Sequence, residues 1–382
     1  MIPYGKQNIS QDDIDAVVDA LTSDFITQGP RVTQFENAVA QKVGAKHAVA
    51  VNSATSALHI ACLALELGKG QRLWTSPNTF VASANCGLYC GADVDFVDID
   101  PATYNLCPKR LAEKLEHAKL SDTLPHIVVV VHMCGQSCDM EAIHQLSEQY
   151  GFHIIEDASH AISGKYQDQY VGNCQYSDIT VFSFHPVKII TTAEGGMALT
   201  NNPALAKAME NLRSHGVTRD LESLVDSNQG AWYYEQQSLG FNYRMTDLQA
   251  ALGTSQLARL DTFVERRQVL ADRYTEKLSA LPLTTPTLLP ASKSAWHLYV
   301  IQLAEPDCRR SVFDELRAKG IGVHVHYIPV HTQPYYRELG FEWGHFPAAE
   351  NYYQAALSLP LYFDMTEDEQ DTVIQALADA LR

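Results

Sequence analysis

The sequence has few groups that would bind a polyanion. Its 28 lysines and arginines are outnumbered by 45 aspartates and glutamates, which gives a formal net charge of −17 over 382 residues. A protein with this net charge repels nucleic acid and anionic membranes. The composition therefore argues against those partners, and a negatively charged ligand would need a local basic pocket.

Long apolar runs and paired cysteines are missing too. No stretch reaches about 18 uncharged apolar residues, and no basic segment followed by an apolar one opens the chain. We therefore expect a soluble, cytoplasmic protein. The eight cysteines show neither CxxC spacing nor a compact disulfide framework. Two pairs with three intervening residues, Cys86/Cys90 and Cys134/Cys138, could hold a metal, but buried free cysteines are common and we predict no metal site.

Apolar runs alternate with amphipathic helical stretches through the first two-thirds of the chain, which is typical of an α/β sheet. The runs that indicate buried parallel strands are His47 to Val51, Arg72 to Thr75, Val94 to Val97, Ile127 to Val131, His153 to Glu156, Ile179 to Ser183 and Met197 to Thr200. We predict a large domain over residues 1–255, with helices on both faces of a mixed, mostly parallel sheet. A charged helical stretch and a Pro- and Thr-rich connection then lead into a smaller α/β domain over residues 256–382.

Polar side chains follow two of these strands. "HIIEDASH" places Asp157 and His160 after one strand, and "SFHPVK" places Ser183 and Lys188 after the next. Ligands of parallel α/β sheets bind outside the carboxyl ends of the strands, so these residues are candidates for one site. Asp157 could instead cap a following helix, and Lys188 could be a surface residue on a turn. If Lys188 is held half-buried, loss of water lowers its pKa and makes it nucleophilic.

"NSATSALHIA" places small and hydroxyl residues between a strand and a helix. Backbone N–H groups of Ala54, Thr55 and Ser56 would then point outward at the positive end of the helix dipole, which suits a phosphate. Ser and Thr before a helix also serve as ordinary caps. An amine, a carboxylate, a phosphate seat and the aromatic Phe80 together match what pyridoxal phosphate requires.

Eight stretches carry a more specific likeness. In chain order they are "ITQGPRVTQFE", "NSATSALHIA", "PNTFVASANCGLYCGADVDFVDID", "IIEDASHAISGKY", "SFHPVKIITTAEGGM", "LRSHG", "GFNYRMTDLQAALG" and "VHYIPVHTQPYY". Over essentially its whole length the sequence resembles the sugar aminotransferases of the DegT/DnrJ/EryC1/StrS family. The resemblance implies a fold-type I enzyme that depends on pyridoxal phosphate and forms a homodimer with shared active sites.

The resemblance also implies roles for matching positions. Lys188 would form the Schiff base with the cofactor, and Asp157 would pair with the pyridine nitrogen. His160 would lie near the ring hydroxyl, and Phe80 would cover the ring face. The phosphate would be held by Thr55, the backbone of Ser56, the Ser183 hydroxyl and, from the partner subunit, Asn242.

Substrate contacts are harder to assign. Arg244 is a candidate for the carboxylate of the amino donor, although a surface salt bridge would explain it equally well. His324, His326 and His331 suggest a metal by spacing, but alternating residues equally form one face of a strand. The candidate substrate-binding residues are Lys6, Thr27, His185, Arg244, Tyr327 and His331.

Three stretches, "ITQGPR", "DASHAISGKY" and "SFHPVKIITTAEGG", are most similar to family members of pseudaminic acid biosynthesis. These transfer the amino group of L-glutamate to C4 of a UDP-linked 4-keto-6-deoxy-N-acetyl hexose. The alternatives are another keto nucleotide sugar with a 4-amino or 3-amino product, a non-catalytic regulatory relative, and an ordinary amino-acid aminotransferase. Family members that dehydrate carry His at the position of Lys188, so dehydration is not expected.

Overall fold

The computed structural model describes residues 1–226 and 229–382. The described α-helices are α1 Gln11–Leu21, α2 Pro30–Val43, α3 Ala54–Ala64, α4 Ala82–Tyr89, α5 Pro108–Ser121, α6 Met140–Tyr150, α7 Pro203–Arg213, α8 Asp247–Ala258, α9 Leu260–Leu278, α10 Arg309–Ala318, α11 Pro334–Glu338, α12 Pro347–Ala355 and α13 Glu367–Ala380. The described strands are β1 His47–Val51, β2 Arg72–Thr75, β3 Asp93–Phe96, β4 Ile127–Val131, β5 His153–Asp157, β6 Lys165–Tyr166, β7 Gln169–Tyr170, β8 Ile179–Ser183, β9 Gly196–Thr200, β10 Val217–Thr218, β11 Glu235–Gln236, β12 Leu283–Thr284, β13 Ser292–Lys293, β14 Tyr299–Leu303 and β15 Ala356–Leu359.

The predicted strands form one seven-stranded sheet in the order β1-β9-β8-β5-β4-β2-β3. The strands from β8 to β3 pair in parallel. Helices α4, α5 and α6 connect β2 to β3, β3 to β4 and β4 to β5, whereas turns and the short strands β6 and β7 connect β5 to β8. The prediction of a parallel strand is wrong for β9, which is antiparallel to both β1 and β8. The chain returns from β8 to β9 through a loop without a crossover helix, and such a return reverses the strand direction.

Helices cover both faces of this sheet, because successive strand residues point to opposite sides. Ile155 packs on one face in a cluster with Leu58 of α3. Ile154 packs on the other face with Leu111 of α5 and Ile143 of α6. The predicted large α/β layer is therefore confirmed.

The C-terminal part has its own core. β12, β14 and β15 form an antiparallel sheet, and Tyr274 of α9 packs there with Leu377 of α13. α8 continues through residue 255 to Ala258, and Ile2 forms a β-bridge with Ile321. The division into 1–255 and 256–382 stays a prediction. Within the described ranges, no helix is both long enough and apolar enough to cross a bilayer.

Candidate active site

A cavity of about 430 Å³ opens where β5 and β8 end. Its walls come from those strand ends, the first turn of α3, the segment after β2, the β8–β9 loop and the stretches around residues 297 and 324–327. This is the edge at which ligands of parallel sheets bind. The sequence-based placement of a site after β5 and β8 therefore corresponds to a real concave surface.

Lys188 lies in the β8–β9 loop, where its backbone N–H donates to the carbonyl of His185 at 2.8 Å. Its side chain is half-buried, and Nζ lies 3.5 Å from Nε2 of His297. Burial lowers the pKa of the Lys188 amine to about 8, and the charge of Asp157 opposes this in part. Lys188 is thus an enclosed amine with an appreciable neutral fraction near neutral pH.

Asp157 is the last residue of β5 and is buried. Its Oδ2 accepts a 2.6 Å hydrogen bond from the Ser83 hydroxyl. Its Oδ1 accepts bonds from the hydroxyl and the backbone N–H of Ser159, at 2.6 and 3.2 Å. The chain after Asp157 forms turns up to β6, so Asp157 does not cap a helix. These three bonds fix a carboxylate at the cavity wall.

The first turn of α3 forms another wall, to which Ala54 and Thr55 contribute. Ser53 is the N-cap, and its hydroxyl accepts from the backbone N–H of Ser56 at 3.1 Å. The Ser56 N–H, expected to face a phosphate, is therefore engaged by the cap in this structure. A Cβ on Gly196 would lie 2.4 Å from the Ala54 nitrogen, so only glycine lets β9 begin against this turn.

Buried histidines surround the Lys188 amine. The rings of His160 and His297 lie 4.3 Å apart, and Nε2 of His160 is 3.1 Å from the hydroxyl of Tyr327. Burial, reinforced by the charge of Lys188, lowers the pKa of both His160 and His297 well below the ordinary value. Burial likewise lowers the pKa of His326 to about 3. These rings are therefore neutral at physiological pH.

Most of the predicted residues lie around the cavity. Those that line it are Thr55, Phe80, Asp157, His160, Ser183, His185, Lys188 and Tyr327. Phe80 is exposed there, with its ring centroid 6.3 Å from that of Tyr327.

Six predicted residues do not line it: Lys6, Thr27, Ser56, Asn242, Arg244 and His331. The proposal of His331 as a sugar contact does not fit, because its side chain is fully buried and its Nε2 lies 2.8 Å from Glu350 Oε1. Thr27 is tied by a backbone bridge to Thr246. Lys6 lines a separate small cavity on another side of Lys188.

Asn242 and Arg244 lie on the segment before α8. Asn242 is exposed, as required of a residue that would reach a neighbouring subunit. Arg244 bridges Val51 through its backbone. Among the described residues, no aspartate or glutamate forms an ion pair with Arg244. The alternative that Arg244 serves in a surface salt bridge therefore has no support from the described residues.

Sequence reasoning missed His297, Ser83 and Ser159. His297 lies two residues before the apolar strand β14, in a region predicted to belong to another domain, and only the tertiary fold brings it close to Lys188. The rings of His324 and His326, whose spacing suggested a metal, stack on each other with their centroids 4.6 Å apart. Among the described residues, no group of three or more His, Cys, Asp or Glu side chains is arranged to hold a metal ion.

The cavity fits pyridoxal phosphate. It presents an enclosed amine and a buried carboxylate, with the positive end of α3 for a phosphate. Nδ1 of His160 is buried and has no hydrogen-bond partner, so a polar atom remains available for a ligand at this point. The arrangement defines a fold-type I aminotransferase that uses pyridoxal phosphate.

Comparison with known proteins gives the same class. The chain belongs to the DegT/DnrJ/EryC1/StrS aminotransferase family, whose family model matches residues 7–378. It is therefore a sugar aminotransferase that depends on pyridoxal phosphate.

Two relatives cover nearly the whole chain. A spore coat polysaccharide biosynthesis protein of Bacillus subtilis is 42% identical over 100% of this chain and 97% of its own length. The UDP-4-amino-4,6-dideoxy-N-acetyl-beta-L-altrosamine transaminase of Campylobacter jejuni is 38% identical over 96% of this chain and 93% of its own.

Solved structures agree in fold. An aminotransferase of Helicobacter pylori involved in pseudaminic acid biosynthesis has a TM-score of 0.90 and 30% identity, covering 100% of this chain and 99% of that one. A Streptococcus pneumoniae protein described as a sugar aminotransferase, solved in its pyridoxal phosphate form, has a TM-score of 0.89 and 27% identity over 99% and 98% of the two chains.

Proposed function

We propose that this protein transfers the amino group of L-glutamate to C4 of a UDP-linked 4-keto-6-deoxy-N-acetyl hexose, giving UDP-4-amino-4,6-dideoxy-N-acetyl-β-L-altrosamine. The observation that carries the amino-transfer chemistry is the meeting of Lys188 and Asp157 at one cavity, opposite the first turn of α3. The choice of sugar is supported by the Campylobacter and Helicobacter relatives.

When bound, pyridoxal phosphate supplies an aldehyde that accepts the amine and a ring that withdraws electrons from the reacting carbon. Asp157 would hold the ring nitrogen protonated, and its own position is fixed by Ser83 and Ser159. His160, with an unpartnered buried nitrogen, would contact the ring hydroxyl. Phe80 would cover the ring face.

Lys188 is the proposed base. Its neutral amine would remove the proton from Cα of the donor amino acid, and the resulting ammonium would deliver a proton as the product forms. In the cofactor-free protein, burial lowers the pKa of this amine to about 8, so part of it is neutral near neutral pH. The second half-reaction uses the same group in the opposite sense at C4 of the sugar.

The nucleotide sugar would bind at the open side of the cavity. His185 and His324 are exposed there, and the Tyr327 hydroxyl lies 3.1 Å from Nε2 of the buried His160. These side chains can donate hydrogen bonds to diphosphate or sugar oxygens. Arg244, without a described acidic partner, is the proposed contact for the carboxylate of glutamate.

We propose a homodimer in which Asn242 reaches the phosphate of the neighbouring subunit. One face of α1 exposes Ile14, Val18 and Leu21, a spacing that gives one apolar stripe on a helix. Such a stripe needs cover in water. The cytoplasmic location stays a prediction.

Nitrogen transfer tests the reaction. With L-[¹⁵N]glutamate and the UDP-linked 4-keto sugar, mass spectrometry should find one ¹⁵N per molecule of amino sugar, together with 2-oxoglutarate. Lys188→Ala should form none, because Lys188 is the one lysine among the described residues that line the cavity. Label incorporation by Lys188→Ala without added amine would contradict the assignment.

Active sites shared between two subunits can be tested by mixing two variants that are each impaired in a different part of the site. Lys188→Ala and Asn242→Ala homodimers should each be impaired, and subunit exchange should restore activity because one of the two sites in a mixed dimer is intact. A monomer by sedimentation, or no recovery after demonstrated exchange, would contradict the shared site.

A different keto nucleotide sugar is the second candidate. The 42% identical Bacillus protein is described by a role in spore coat polysaccharide, not by this sugar. A panel of 4-keto and 3-keto nucleotide sugars, compared by kcat/KM, distinguishes the two. Preference for a 3-keto substrate would refute the proposed sugar while leaving the aminotransferase intact.

A further inference from the structure

Arg267 of α9 is a buried cation that bonds to the main chain. The residue is 3% exposed, and within residues 1–226 and 229–382 no aspartate or glutamate forms an ion pair with it. Its Nη1 donates instead to the carbonyls of Trp296, His297 and Leu361, at 3.1, 3.3 and 3.0 Å. Burying a guanidinium without a carboxylate partner is costly, so its place beside the active site calls for a functional reason.

Two of these carbonyls belong to the corner of the chain that brings His297 to Lys188. Nε2 of His297 lies 3.5 Å from Nζ of Lys188. Trp296 has a φ of +50°, in the left-handed region that a bulky side chain rarely adopts. Such a conformation persists only where the surrounding structure holds it. The bonds from Arg267 therefore help to fix the His297 ring beside the amine.

The turn after β4 packs against the same corner. The backbone N–H of Ala295 donates to the carbonyl of Gly135 at 2.9 Å. A Cβ on Gly135 would lie 2.8 Å from the backbone nitrogen of Trp296 and 3.1 Å from that of His297, so only glycine allows this close approach. The corner is therefore held by this turn and by α9.

The His297 ring accepts a hydrogen bond from Lys188. A protonated amine can only donate, so Nε2 is the acceptor and the ring is neutral. Burial lowers the pKa of His297 well below its ordinary value, and the charges of Lys188 and Arg267 are among those that lower it further. Nδ1 of this ring has no hydrogen-bond partner in the described part of the chain. Lys188 is thus directed by an acceptor whose position depends on Arg267.

We propose that Arg267 is a positioning residue for the reactive amine. Its bonds to the corner keep Nε2 of His297 within hydrogen-bond distance of Lys188, and this acceptor directs the amine that captures the cofactor. The inference rests on the role proposed for Lys188 in amino transfer. When the ring moves away, the protonated amine loses a hydrogen bond and its pKa falls.

A double-mutant cycle tests the proposal. Arg267→Lys keeps the positive charge but lacks the planar guanidinium and its reach, so it cannot hold the corner in the same way. The pH midpoint of pyridoxal phosphate capture, read from absorbance, should fall by about half a pH unit. In the His297→Phe background the same substitution should cause no further fall, because its effect passes through His297. Arg266→Lys is the matched control on α9, since Arg266 donates to the carbonyl of Met365 at 2.7 Å, and it should leave the midpoint unchanged.

The cycle separates positioning from a general structural effect. An unshifted midpoint in folded Arg267→Lys would overturn the proposal, and so would a shift that is equally large with and without His297. Absence of cofactor capture by the unmodified protein would overturn the role of Lys188 and this inference together. Normal capture with an unshifted midpoint would overturn this inference alone.

A second measurement needs no variant of Arg267. In the cofactor-free protein labelled with ¹⁵N-histidine, the chemical shifts of the ring nitrogens at pH 7 report which nitrogen carries the proton. The His297 signals are those missing from His297→Asn, and they should show the proton on Nδ1. A proton on Nε2 would overturn the proposal, because this nitrogen could then not accept a hydrogen bond from Lys188.

Discussion

Replacing Lys188 by methionine should stabilise the cofactor-free protein. The folded structure lowers the pKa of this amine from 10.5 to about 8, chiefly through burial. At 1.36 kcal/mol per pKa unit, holding the charged amine there costs about 3 kcal/mol of folding free energy at pH 7. Methionine keeps the aliphatic length and has no charge to desolvate, so the free energy of unfolding should rise by about 2 to 3 kcal/mol.

The stability advantage of Lys188→Met should depend on pH, and the direction of the change follows from the two pKa values. Below pH 8 the amine is protonated in both states, and the full cost is present. Between pH 8 and 10.5 the unfolded chain binds a proton that the folded chain does not, so the stability of the unmodified protein rises with pH. The advantage of Lys188→Met should therefore fall to about 1 kcal/mol at pH 9.5.

Urea unfolding, monitored by tryptophan fluorescence at pH 7 and at pH 9.5, measures the stability gain of Lys188→Met and its decrease at the higher pH. Lys46→Met is the matched control, because Lys46 is exposed and its replacement should change stability by no more than about 0.5 kcal/mol. A Lys188→Met protein that is less stable at pH 7, or whose advantage does not shrink with pH, would refute the reasoning.

Three further changes test other parts of the site. Asp157→Asn should lower kcat at least about 100-fold with an unchanged circular dichroism spectrum, because the buried carboxylate can no longer stabilise a protonated ring. His297→Phe removes a hydrogen-bond acceptor 3.5 Å from the reactive amine, so the pH midpoint of cofactor capture, read from absorbance, should fall by about half a pH unit. Gly196→Ala should weaken cofactor binding at least about tenfold by equilibrium titration, because its Cβ would lie 2.4 Å from the Ala54 nitrogen.

Each of these has a control. Gly68→Ala adds a Cβ where nothing lies within 4 Å, so it should leave cofactor affinity unchanged. His297→Asn retains an acceptor and should keep a pH midpoint near that of the unmodified protein. Full activity of Asp157→Asn, an unshifted midpoint for His297→Phe, or normal affinity for Gly196→Ala would each count against the role assigned to that residue.

The strands were predictable because their residues are buried on both faces. Ile127–Val131 is an unbroken β-branched run of the kind that only a covered sheet contains. The direction of Gly196–Thr200 was not predictable in the same way. An apolar run looks alike in either orientation, and this strand is reversed because the loop that carries Lys188 returns to the sheet at the end where β8 leaves it.

The site was predictable where chemistry follows a strand end, as at Asp157 and Lys188. It was not predictable where long-range packing supplies the neighbour. His297 lies more than a hundred residues from Lys188 in the chain, yet their side-chain nitrogens are 3.5 Å apart. At His331 the motif suggested a contact that the fold does not provide. The resemblance made His331 a candidate for binding the sugar, whereas its side chain is buried beside Glu350.

The absorption spectrum of the holoenzyme tests the central claim most directly. Adding L-glutamate should remove the visible band of the bound cofactor, and adding the UDP-linked 4-keto-6-deoxy-N-acetyl hexose should restore it, since each half-reaction reverses the state left by the other. A band that glutamate does not change, or one that glutamate removes and no keto nucleotide sugar restores, would contradict the account.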